Sequence, residues 1–80
     1  MIKPAKVLIA EDDDSIARLY QTYLEAHSFT IQRAQNGDEA LDQIQSFKPD
    51  VLLLDIMMPE KNGFDVLEEL KTIDNKLPVI

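Results

Sequence analysis

Apolar residues fall along this chain in runs of two kinds, and the switches between them mark out its elements. Residues 5–10, AKVLIA, form a short apolar run halted by acids, the pattern of a buried strand. In DDDSIARLYQTYLEAH the spacing changes. Ile16, Leu19, Tyr20, Tyr23 and Leu24 recur at helical intervals, which predicts a helix capped by Asp14 or Ser15, with the other acids near its positive start. Tyr20 and Tyr23 are expected at the core and rim of that helix. FTIQRA, residues 29–34, alternates Phe29 and Ile31 with Thr30, Gln32 and Arg33, as a strand with one wet side or an exposed edge does. Asn36 and Gly37 then break the chain. Ala40, Leu41, Ile44 and Phe47 give a second helix its apolar stripe, and Lys48 and Pro49 stop it. VLLLD predicts the third and most buried strand. A loop marked by Pro59, Asn62 and Gly63 leads into a third helix with Phe64, Val66, Leu67, Leu70 and Ile73 on its inner face; after Asp74 and Asn75, LPVI opens a fourth strand.

Strands alternating with helices at short intervals imply right-handed crossovers and a parallel sheet with helices on both faces, so the fold class is α/β in three layers, α/β/α. With 80 residues there is room for one domain, spanning residues 1–80, of marginal stability. A net charge of -7 would repel a phosphate backbone over most of the surface, which argues against direct nucleic-acid binding and leaves any such role to a separate basic domain of a longer parent. No cysteine is present, so neither a disulfide framework nor a thiolate metal site arises. The apolar run at the N-terminus is too short for a signal-peptide core and meets four acids at once, and no segment approaches membrane-spanning length. The expectation is a soluble, cytoplasmic protein.

The third strand ends in a bare carboxylate, Asp55, and burying an unpaired carboxylate is expensive, so Asp55 is expected just beyond the sheet. In a parallel sheet all strand-to-helix turns lie on one edge. The acids after the first strand and Asp55 after the third would therefore emerge together, and if the strands are neighbours their backbones lie about 5 Å apart, close enough for the carboxylates to share one ion. A strand order 2-1-3-4 puts the reversal of direction between strands one and three, the place where open α/β sheets bind ligands. Clustered carboxylates either take up a proton or collect a cation, and oxygen-only ligands favour a hard ion such as Mg2+, which keeps open positions for a phosphate. An aspartate beside such a metal can act as nucleophile toward a phosphoryl group.

At these residues the chain resembles a known family. VLIAEDDDSIARLY, VLLLDIMMPEKNGFDVL and LPVI are similar to the receiver domain of bacterial two-component response regulators, and the likeness covers essentially the whole chain. The resemblance implies a flavodoxin-like sheet of order 2-1-3-4-5. It implies Asp55 as phosphoacceptor, with Mg2+ held by Asp12 directly, by Glu11 partly through water, by Asp55, and by the backbone carbonyl of Met57. Pro59 and Gly63 would shape the loop beside the acceptor. The phosphoryl donor would be a histidine kinase or a phosphotransfer protein. The family continues past LPVI to a Ser or Thr, a fourth helix, a fifth strand bearing a Lys, and a fifth helix. Against that pattern the chain is an incomplete receiver domain, lacking the fifth strand and last two helices, and labelling of Asp55 is expected to be weakened or lost.

Several residues have plainer readings. Asp13 and Asp14 are expected as cap and helix-dipole partners, and the side chains of Met57 and Met58 as apolar filler. His27 falls near the end of the first helix, where a partly exposed imidazole favours the negative terminus. Glu68, Glu69 and Lys71 form a solvated face. A second functional reading is an association module: loss of the last helix would uncover apolar surface on the first and leave a strand edge open, favouring homo-oligomers. A third, a hydrolase with an aspartyl-phosphate intermediate of the haloacid dehalogenase type, needs an Asp two residues beyond the nucleophile. That position is Met57, so no enzymatic turnover is expected.

Overall fold

The sheet is built around its first strand, as a run of four consecutive buried residues demands. A computed structural model of the chain describes residues 4–58, 61–73 and 76–80. In chain order the elements are β1 (Lys6–Ala10), α1 (Asp14–Ala26), β2 (Thr30–Ala34), α2 (Gly37–Phe47), β3 (Val51–Leu54) and α3 (Gly63–Ile73). The strands lie in the order β2-β1-β3, all parallel, with Leu8 opposite both Gln32 and Leu52. Beyond β3, Val79 makes a parallel bridge to Leu52, and Ile80 donates to the Leu52 carbonyl at 2.9 Å. The fourth strand thus opens where the sequence places it, next to β3.

Strand position decides burial more than apolar content does. Central β1 has Val7, Leu8, Ile9 and Ala10 all buried, whereas Val51, Leu53 and Leu54 of β3 are only partly so. The expectation that β3 is the most buried strand is therefore corrected: β3 also has chain on both sides, β1 and residues 79–80, but α1 packs over β1 and β2 and leaves the Val51 and Leu53 side of β3 less covered. The packed core lies between the sheet and α2 with α3, and includes Leu8, Leu52, Ile44, Met58, Val66 and Leu70. Leu8, Ile9, Leu52 and Val66 are fully buried, each stabilising the fold by about 1.5–3 kcal/mol relative to exposure.

Helix α1 covers the opposite face through Ala17, its buried residue. Its large apolar side chains stand open: Leu19 is 67% exposed and Tyr23 64%, with Ile16 and Tyr20 also exposed. The periodicity found the apolar stripe correctly, but the small Ala17 is what fits against the sheet, and Tyr20, expected in the core, is exposed like Tyr23. On α3, Val66 and Leu70 pack inward while Phe64 and Ile73 are exposed, which narrows the inner face expected there. Pro59, Asp74 and Asn75 lie outside the described residues.

Caps fix the helix starts. Asp13, not Asp14 or Ser15, caps α1: its Oδ1 accepts from the Ile16 amide at 3.0 Å, and Asp14 is the first helical residue. Asn36 accepts from the Glu39 amide at 2.9 Å, and Asn62 and Asp65 bond each other's amides reciprocally at the head of α3. Asn36→Ala is expected to lower stability by about 1 kcal/mol, read as a shift of the urea midpoint at unchanged slope. Lys48 ends α2 with φ 54, and His27 ends α1 with its ring exposed and Nδ1 3.0 Å from the Tyr23 carbonyl. Among the described residues no helix is long and apolar enough to cross a membrane.

Candidate functional site

The parallel topology brings the turns after β1 and β3 to one edge. Asp55 follows β3 directly, and its amide donates to the Ala10 carbonyl at 3.0 Å, so the register of β1 with β3 runs on to the acid itself. Its Oδ1 accepts the Met57 amide at 3.1 Å, which orients the carboxylate. Glu11 continues β1 and donates its amide to the Ala34 carbonyl at 3.0 Å. Its side chain is buried, only 8% exposed, and accepts the Asp13 amide at 3.3 Å. Asp12 is exposed.

Glu11, Asp12 and Asp55 each offer a carboxylate oxygen within 4.8 Å of the others. Convergence of acids from two distant segments, expected from sequence, is what the structure shows. Asp13 and Asp14 serve the helix instead. Glu11 and Asp55 border a cleft of about 480 Å³ whose apolar side includes Ile9, Tyr20 and Leu53, while Asp12 and Met57 border a neighbouring one. The Met57 side chain is 81% exposed and fills no gap, whereas Met58 is buried in the core. The two differ because Met57 stands at the tip of a tight turn, closed by the Met58 amide on the Ile56 carbonyl at 3.2 Å, after which the chain returns to the core.

Crowding shows in the titration of Glu11. Burial raises its pKa, the Asp13 amide opposes this, and the nearby Asp55 and Asp12 carboxyls raise it further. Glu11 thus holds a proton more tightly in the folded than in the unfolded chain. Its contribution to stability is complete below its ordinary value and is lost as pH rises through the raised, folded one. Without divalent cation, melting temperature is expected to fall as pH rises through that window, and Glu11→Gln should flatten the slope. Thermal melts of both chains across the acid-to-neutral range check this.

The loop after Asp55 is held from two sides. The Gly63 amide donates to the Ile56 carbonyl at 3.0 Å, and the Gly37 amide at the head of α2 donates to the Lys61 carbonyl at 3.2 Å. The Lys61 ammonium bridges Asp38 and Glu69, one acid on each of α2 and α3, which raises its pKa; Glu69 makes the larger contribution. Two of the residues that build the site carry no signal in the sequence: Lys61, in the loop before α3, and Arg33, among the polar positions of β2. Charge pairing across elements leaves no periodic trace.

Known proteins resemble this chain in sequence and in fold. A family model for the response regulator receiver domain matches residues 7–80. The response regulator MprA of Mycolicibacterium vanbaalenii is 34% identical over 77 residues, which is 96% of this chain and 33% of that protein. The N-terminal domain of a response regulator receiver protein from Methanoculleus marisnigri superposes with a TM-score of 0.90 at 32% identity, covering 94% of this chain and 63% of the other. The response regulator TrrA of Thermotoga maritima, solved in complex with Mg(2+)-BeF, gives a TM-score of 0.88 at 29% identity, covering 94% of this chain and 65% of the other. The chain therefore spans about a third of the curated relative and somewhat under two thirds of these solved chains.

Proposed function

Because this chain belongs to the response regulator receiver domain family, a signalling family of two-component systems, we propose that it is a phosphoacceptor: Asp55 takes a phosphoryl group from a histidine kinase or phosphotransfer protein in the cytoplasm. The observation that carries this reading is the meeting of Glu11, Asp12 and Asp55, with ligand atoms within 4.8 Å of one another at the edge of a parallel sheet.

The donor set is all oxygen and anionic, which suits Mg2+, and the Mg(2+)-BeF complex of TrrA supports the same assignment. Asp12, Glu11, Asp55 and the Met57 carbonyl would hold the ion. Bound there, it neutralises carboxylate charge and stabilises phosphoryl oxygens. Asp55 supplies the nucleophile. A carboxylate oxygen forms the new P–O bond as the donor's P–N bond breaks and the imidazole departs with that electron pair. The Met57 amide on Oδ1 fixes the plane of the attacking group, and the register bond from Asp55 to Ala10 fixes its depth. Glu11, buried and accepting the Asp13 amide, would meet the ion from the end of β1, and the ion's charge would offset the burial and crowding that favour its protonated form.

The association reading has the open face of α1 in its favour, but the phosphoacceptor reading has both the site geometry and the family. Incubating the protein with a labelled phosphohistidine donor tests it. The expected label is Mg2+-dependent, has the hydroxylamine lability of an acyl phosphate and maps to the peptide holding Asp55. A label that survives removal of divalent cation, or maps elsewhere, overturns it.

A further inference from the structure

Arg33 sits at the end of the edge strand β2, two positions from Gln35 and outside every acidic motif in the sequence. In the folded chain its guanidinium reaches across to the turn that follows β1. Nε and Nη2 both donate to the Glu11 carbonyl, at 3.0 and 2.8 Å, and Nη1 donates to Asp14 Oδ1 at 2.7 Å. The fork thus grips the turn at residues 11 and 14 and brackets Asp12 between them. Its own base is fixed as well. Arg33 lies in register opposite Ile9, and its carbonyl accepts from Gln43 Nε2 of α2 at 2.9 Å. The side chain is 19% exposed, against 78% for Asp14.

We infer that Arg33 is a positioning residue: it sets the place of Glu11 and Asp12 and thereby the affinity of the three-carboxylate cluster for a divalent cation. The inference rests on the Mg2+ reading above. An exposed ion pair with Asp14 contributes little by itself. The paired bonds to the Glu11 carbonyl matter more, because a rigid planar fork fixes direction as well as distance, and a point-charge ammonium does not reproduce it. Partners behind metal ligands commonly alter metal affinity by about 10–100-fold.

Positioning and simple charge have opposite signs here. Were Arg33 only a nearby cation, its removal would make the cluster more negative and draw Mg2+ more tightly. If it positions the turn, removal weakens binding despite that gain. Arg33→Met and Arg33→Lys are therefore titrated with Mg2+ alongside the wild-type chain and Asp12→Ala, following backbone amide shifts by NMR, with thermal melts in parallel. The expected result is a dissociation constant raised about 10-fold in Arg33→Met, raised in the same direction in Arg33→Lys, and a lost response in Asp12→Ala. Wild-type or tighter binding by Arg33→Met beside a normal wild-type titration overturns the inference and leaves the Mg2+ reading standing, as does a lowered melting temperature with unchanged affinity. If Arg33→Met does not fold, Arg33→Lys decides alone: weakened binding supports positioning and unchanged binding overturns it. A wild-type chain that does not respond to Mg2+ overturns the reading and the inference together.

Discussion

Asp55→Asn is expected to reduce phosphoryl labelling of the chain to background and, in the absence of divalent cation, to raise its melting temperature. The first effect follows from chemistry: the amide has nearly the shape of the carboxylate and can still accept the Met57 amide through Oδ1, but it offers no anionic oxygen to form the P–O bond. The second follows from crowding. Glu11 is pushed toward its protonated form by burial and also by the Asp55 carboxyl, so the native state holds acids that would rather be apart. Removing one relieves a repulsion on the order of 1 kcal/mol after discounting for solvent screening, which in a domain of this size is about 4–8 °C. Mg2+ should stabilise the wild-type chain and have much less effect on the variant. Labelling that persists in Asp55→Asn would point to another acceptor, and an unchanged melting temperature would mean that the acids do not feel one another.

That second effect is the physical reason the acidic turn was legible as a site at all. Carboxylates placed at strand ends, where the topology must gather them, repel one another, and such crowding is a mark of sites that hold a cation or a proton. The strands, the helices and the convergence of Glu11, Asp12 and Asp55 could be read because each depends on local period or on the rule that parallel strands share an edge. What could not be read is which apolar stripe is covered. Ala40, Leu41 and Ile44 on α2 and Ile16, Leu19, Tyr20 and Tyr23 on α1 have equally clear helical spacing, yet the first set is buried and the second exposed. Periodicity reports a face of the helix and not the neighbour that lies on it. The same limit hid the deeper burial of β1, since the placing of α1 over β1 and β2, and not the apolar content of VLLL, decides which strand is covered on both faces. Arg33 counts among the polar positions of β2, yet it lies on the part-buried Ile31 side of the strand, and its side chain reaches a carbonyl and a carboxylate that only the assembled sheet edge presents.

Gly63→Ala is expected to damage the loop that follows Asp55 from behind. A Cβ on Gly63 would stand 2.7 Å from the Asp55 carbonyl oxygen and 2.7 Å from the Ile56 Cα, both backbone atoms that cannot rotate aside. The glycine is needed for this close approach. The loop turns back on itself so tightly that the Gly63 amide bonds the Ile56 carbonyl at 3.0 Å while Val66 and Leu70 of the following helix enter the core. Room for a methyl group can come only from moving α3 outward or from moving residues 55–56. Displacing α3 opens the core and costs about 1–3 kcal/mol, a large share of the roughly 4–12 kcal/mol available to a chain of 80 residues. Displacing Asp55 instead shifts the attacking oxygen relative to Glu11 and Asp12, and a misplacement of about 1 Å can slow a positioned reaction about 100-fold. The two routes are separable by experiment. Urea melts report the first, and the rate of Asp55 labelling under conditions where the variant is fully folded reports the second. Because the nearest atoms belong to the backbone of Asp55 and Ile56, the labelling rate is expected to fall by more than the loss of folded protein accounts for. A variant that labels at the wild-type rate once folded would mean that the loop yields entirely on the α3 side.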